Sequence, residues 1–139
     1  MLQANRKNYL QAYRKHFLTY CNSDKGCDTS RRMILSYCVE CGLKCLIMKN
    51  NRINSVLQAE EEIRHILSSH DVRNLLNALN QAGNYRFKDF KTEYGDNVTP
   101  KDFHQFCRYS IDAEKKEFHQ VIEYENKLME IAEWLKEKV

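Results

Sequence analysis

Ile34-Leu-Ser-Tyr-Cys-Val-Glu-Cys-Gly-Leu-Lys-Cys-Leu-Ile-Met48 is the stretch on which the fold class turns. Ile34, Cys38, Cys41, Cys45 and Met48 recur at helical spacing and form one stripe. Leu35, Val39, Gly42 and Leu46 form a second stripe beside it. Two adjacent apolar stripes predict a helix buried over a wide arc, which places it at the centre of a bundle. Asp28, Thr29 or Ser30 can cap its start, and it is expected to run to about Asn50.

The same reading extends to both sides. Tyr9, Leu10, Tyr13, Phe17 and Tyr20 predict a first helix from about Gln3 to Tyr20, closed by a turn over Asn22 to Gly26. Val56, Leu57, Ile63, Ile66 and Leu67 predict a third helix over Asn54 to Leu67. Ser68-Ser69 breaks it, and Ser69 is expected to cap a fourth helix from His70 to Ala82, ended by Gly83. Residues 84–98 are the least regular. Thr99-Pro100 reads as a helix start, Thr as cap and Pro at the first helical position. From there helix is expected to the C-terminus, with a bend near Ser110 and a late face of Ile111, Phe118, Val121, Ile122, Leu128, Met129, Ala132 and Leu135.

At 139 residues, 42% hydrophobic and 29% charged, with 1 Pro and 4 Gly, the chain reads as a single all-α domain, a four- to five-helix up-down bundle. The net charge of +3 does not by itself point to nucleic acid. No run reaches about 18 apolar residues, so no membrane span is expected. Met1 to Tyr20 is basic and amphipathic without the compact apolar run of a signal peptide. The 6 cysteines therefore read as reduced thiols of a cytoplasmic protein.

Three stretches carry a family resemblance. Tyr37-Cys-Val-Glu-Cys-Gly-Leu-Lys-Cys-Leu-Ile-Met-Lys49 looks like the long second helix of HEPN proteins. Ser69-His-Asp-Val-Arg-Asn-Leu-Leu-Asn-Ala-Leu79 is similar to that family's His-Asp-Leu-x-x-Leu-Leu pattern. Cys107-Arg-Tyr-Ser-Ile-Asp-Ala113 resembles the Arg-Tyr element before the last helix. In order and spacing the resemblance covers residues 3–138. It implies an RNA-targeting module, a metal-independent ribonuclease of a toxin or antiviral defence system acting as a homodimer. It also leaves open a non-catalytic domain that binds a nucleotide or a nucleotidyltransferase partner. No cofactor is implied.

Active members of that family carry Arg-x4–6-His, and Arg64-His-Ile-Leu-Ser-Ser-His70 is the stretch that fits. In this reading Arg64 stabilises charge on the transferring phosphate and His70 acts as acid or base. Residues six apart on an unbroken helix sit about 120° from each other, so convergence needs the break at Ser68-Ser69. The alternative is a surface Arg and a helix-start His bonded locally.

Other groupings have two readings each. Cys38-x2-Cys41-x3-Cys45 matches a metal spacing, but its thiols share one stripe and suit core packing better. His104, Arg108 and Asp112 are expected on one salt-bridged helix face, although His104 and His119 could also do acid–base work. Tyr85, Arg86, Phe87, Lys88, Phe90, Lys91 and Tyr94 interleave rings with cations. That suits single-stranded RNA, with Arg86, Lys88 and Lys91 on phosphates, or a loop pinned to the core by its rings. Glu60-Glu61-Glu62 and the tail Glu130–Lys138 read as solvated helix faces.

Overall fold

A computed structural model describes residues 3–139; Met1 and Leu2, the start of the segment weighed as a leader, lie outside the described residues. Helix α1 spans Arg6–Asn22 and α2 spans Asp28–Asn50. After a 3₁₀ turn at Val56–Gln58 come α3 (Glu61–Leu67) and α4 (Val72–Ala78). A small antiparallel ribbon pairs β1 (Phe90–Lys91) with β2 (Asn97–Val98), Phe90 facing Val98. Helix α5 is Phe103–Arg108, a second 3₁₀ turn covers Lys115–Glu117, and α6 runs Phe118–Leu135. The described chain is mostly helical, with this ribbon its only sheet.

Helix α1 starts at a reciprocal cap: Asn5 Oδ1 accepts the Asn8 N–H at 3.1 Å and Asn8 Oδ1 accepts the Asn5 N–H at 3.0 Å. Gly26, at φ +119°, makes the tight reversal into α2 that the turn composition predicts. Helix α2 packs against α1, α4, α5 and α6 and is the centre of the domain, as its double stripe implies. From Gly42 to Met48 every residue is buried, Lys44 included.

The later elements depart from the sequence expectation in several places. Only Glu61–Leu67 of the third helix is α-helical, because Ser55 caps a separate 3₁₀ turn and Ala59 is extended at ψ 141°. Asp71, not Ser69, caps α4, its carboxylate accepting the Arg73 N–H at 2.9 Å. Asn80, at φ 58°, turns the chain after α4 well before Gly83. Pro100 lies in a turn where Thr99 Oγ1 donates to Asp102 Oδ2 at 2.8 Å, so α5 begins only at Phe103.

Ser110 breaks the last helix outright rather than bending it. Its φ of 51° is left-handed, and the following residues extend so that Ala113 bridges to Thr92. Helix α6 buries Val121, Leu128, Ala132 and Leu135 of the expected face together with Tyr124 and Ile131, while Phe118 and Ile122 of that face are exposed. No described helix is long and apolar enough to cross a membrane.

Tight contacts at α2 fix the bundle. A Cβ on Gly42 would lie 2.7 Å from both Leu135 Cδ1 and Tyr13 Cδ1. Tyr13 cannot easily withdraw, since its hydroxyl donates to the Ala132 carbonyl at 2.6 Å. Alanine gains about 1 kcal/mol of helix propensity over glycine. Overpacking costs about 1–3 kcal/mol. With Tyr13 pinned, the steric cost wins. Gly42→Ala is therefore expected to lower the urea midpoint with an unchanged slope; a higher midpoint would mean that α1 and α6 are free to move apart.

Candidate functional site

Three polar residues of the buried central helix lie together. Tyr37, Glu40 and Lys44 stand at i, i+3 and i+7, one narrow strip on α2. Lys44 is 4% exposed. Its Nζ lies 3.3 Å from Glu40 Oε2 and 5.9 Å from the centroid of the Tyr9 ring. A buried ammonium needs a counter-charge, and Glu40 provides it. The other carboxylate oxygen, Oε1, lies 3.1 Å from His70 Nδ1.

A carboxylate accepts hydrogen bonds and does not donate them. The proton of this pair therefore sits on His70 Nδ1, and Nε2 is left free. His70 is 65% exposed at its side chain, so the free nitrogen can meet a ligand.

Two more rings continue the strip. The His104 ring centroid is 5.9 Å from that of His70 and 6.0 Å from that of Tyr37. His16, from α1, is 6.5 Å from Tyr37. His104 and Arg108 stand one turn apart on α5, whose Phe103, Phe106 and Cys107 are buried. That anchoring sends His104 and Arg108 to the α2 strip, where the Arg108 guanidinium donates to the Tyr37 hydroxyl. Burial, then the nearby Arg108 charge, pushes the His104 imidazole below its ordinary range, with Glu40 opposing. Burial alone does the same to His16. The assembly thus has an oriented imidazole, a second one biased toward the neutral form, a carboxylate and a guanidinium on one open face.

The residues expected from sequence fall in three places. His70 is in this cluster. Arg64 points elsewhere, its Nη2 donating to the Ala59 carbonyl at 2.8 Å beside Glu60, Glu61 and Glu62. Arg86, Lys88 and Lys91 are exposed on the segment before and within β1. There the rings turn inward: Phe87 packs on Tyr124 at 4.4 Å, Tyr85 on Trp134 at 6.3 Å, and Phe90 is 1% exposed. Tyr94 is the exposed ring of that segment.

Arg108 and Asp112 do not share a helix face, because α5 ends between them and Arg108 turns to Tyr37. Among the described residues no Arg108–Asp112 ion pair forms. The α2 cysteines pack in or against the core. Burial raises the Cys38 thiol and pushes Cys41 to about 11, which keeps both protonated and poor as ligands.

Tyr37, Glu40 and His16 are the residues that sequence reasoning passed over. Their signal was present: Tyr37, Glu40 and Lys44 interrupt an otherwise apolar helix at same-face spacing. No family model, curated protein or solved structure matches the chain.

Removing the buried ammonium weakens the fold. Lys44→Met leaves a partly buried Glu40 with His70 as its remaining partner, and a cost of about 1–3 kcal/mol is expected. The double variant Glu40→Gln/Lys44→Met should recover much of it in a double-mutant cycle by urea unfolding. Additive losses would show that the two charges are not coupled.

Acid should also weaken the fold through His104 and His16. Both are depressed below the unfolded value of 6.5, so the folded state binds fewer protons than the unfolded chain as pH falls. Their contribution is full above pH 6.5 and is lost as pH falls through the folded midpoint. Unfolding free energy should drop as pH falls below about 6.5, and His16→Gln/His104→Asn should flatten that slope. An unchanged slope in the double variant would assign the acid sensitivity to other groups.

Proposed function

We propose that this chain is an RNA-targeting module of HEPN type, a metal-independent ribonuclease of a toxin or antiviral defence system, with His70 as an acid–base residue. The supporting observation is the Glu40–His70 pair, 3.1 Å long, which orients one imidazole nitrogen outward at the rim of a ring-lined face. An imidazole fixed in this way suits proton transfer to or from an RNA 2′-hydroxyl or leaving oxygen. Charge building on the phosphate needs a cation. Arg108 lies in the same cluster, whereas Arg64 would first have to release the Ala59 carbonyl. In this reading the module is a cytoplasmic homodimer, and Arg86, Lys88 and Lys91 add phosphate contacts beyond the reacting bond.

The engagement of Arg64 with Ala59, together with a carboxylate beside His70 that repels phosphate, favours a second reading: a non-catalytic domain that binds a nucleotide or a nucleotidyltransferase-type partner.

Cleavage of a mixed RNA pool in EDTA separates the two. Wild-type protein is expected to cleave, and His70→Ala to lose about 10²–10⁴-fold. Arg108→Ala should lose more than Arg64→Ala. A folded wild type without activity removes the ribonuclease reading, and a loss confined to Arg64→Ala returns the cationic role to that residue.

A further inference from the structure

We propose that His104 and His70 form one two-imidazole phosphodiester site within a single protomer, with His104 as its second acid–base residue. The chemistry rests on the ribonuclease reading, while the pairing rests on geometry alone.

Cleavage of RNA by its own 2′-hydroxyl needs two proton transfers on opposite sides of one phosphorus. The two ring centroids lie 5.9 Å apart, near enough that a phosphate seated over both rings can present one oxygen to each. Both rings are tied down. Glu40 holds Nδ1 of His70, and Tyr37 and the anchored helix α5 hold His104. Arg108, one turn from His104, is tethered to Tyr37 at the edge of the same face.

Their surroundings divide the two roles. His104 faces Arg108 and Asp102 on its own element, Glu40 and Tyr37 on α2, and His70 from the approach to α4. Burial and Arg108 favour its neutral form, which suits the base. Glu40 can balance an imidazolium at His70, which suits the acid. His104 takes the 2′-hydroxyl proton and O2′ bonds to phosphorus. The P–O5′ bond breaks, and O5′ takes the proton of the His70 imidazolium. The products are a 2′,3′-cyclic phosphate and a 5′-hydroxyl end, with no metal, oxidant or further reactant consumed.

The pairing within one protomer is a definite commitment. Catalysis by two copies facing each other would instead let each contribute half a site, and mixed variants tell the two apart.

Three measurements on the full chain test the proposal. First, cleavage in EDTA by wild type should show a bell-shaped pH profile. His104→Asn should lose about 10²–10⁴-fold together with the rising acid limb. Second, a mixture of His70→Asn and His104→Asn proteins should stay inactive; restored activity would mean that the two imidazoles come from different copies and would overturn the proposal. Third, inorganic phosphate should shift the NMR resonances of both imidazoles and raise both titration midpoints, and His104→Asn should shrink the response of His70. Phosphate that moves neither ring, or His70 alone, overturns the paired site even where RNA is cleaved. Phosphate that moves both rings without any cleavage upholds the paired site and removes the ribonuclease reading.

Discussion

The structure depends on the complete burial of α2 between Gly42 and Met48. A helix enclosed on every side has no face on which a misfit can escape to water. Each neighbour must match it: α1 and α6 meet at Gly42 because no Cβ intrudes, and α4 and α5 cover the remaining sides. Tyr13 closes this junction by linking α1 to the Ala132 carbonyl of α6. A second tie stands farther along, where Glu125 of α6 accepts from the Tyr20 hydroxyl at 2.5 Å and from Arg32 Nε at 2.7 Å. Burial there raises the Tyr20 phenol above its ordinary range, with the Glu125 hydrogen bond acting in the same direction. The hydroxyl stays protonated as the donor that the carboxylate requires.

That enclosure gives the candidate site its form. An ammonium placed in this packed helix, as Lys44 is, would destabilise the fold without a partner, and Glu40 one turn earlier is the partner available. A carboxylate has two oxygens. One is committed to the interior, and the other faces out to His70. The ion pair that the fold needs therefore leaves an acceptor fixed at the surface, held by core packing more rigidly than a loop carboxylate would be. The positions of His104 and Arg108 follow in the same way from buried neighbours on α5, Phe103 and Phe106, whose rings meet Phe90 of the ribbon.

Sequence periodicity was informative where one element buries itself through its own pattern. The double stripe of α2 and the turn at Gly26 belong to that class. It misled at the start of α6, where tertiary contacts decide which side chains are covered. Phe118 and Ile122 have the spacing of a core face. The chain breaks at Ser110 and bridges from Ala113 to Thr92 before α6 begins, and Tyr124 takes the buried place in its first turns, stacked on Phe103 at 4.0 Å. The cluster was partly legible. His70 stood out through its spacing from Arg64, but spacing along a chain says little about where a guanidinium turns, and Arg64 finds the Ala59 carbonyl first. Tyr37 and Glu40 were hidden in plain view, since the apolar stripes around them dominate any reading of that helix.

Residues 84–91 show why composition alone cannot separate a nucleic-acid surface from a packed strap. Rings and cations alternate at 85–88, the pattern of an extended chain with one side buried. Tyr85 and Phe87 take the inner side, Arg86 and Lys88 the outer. Such alternation enforces a division of labour: rings that pin the chain to Trp134 and Tyr124 are not free to stack on bases, while the cations are presented to solvent by the same geometry. A basic segment built this way can contact phosphates of any sequence but cannot read bases with its buried rings. Selectivity in an RNA-directed module of this design would then have to arise at the ring-lined face of His16, Tyr37, His70 and His104, where the rings are at least partly open to a ligand.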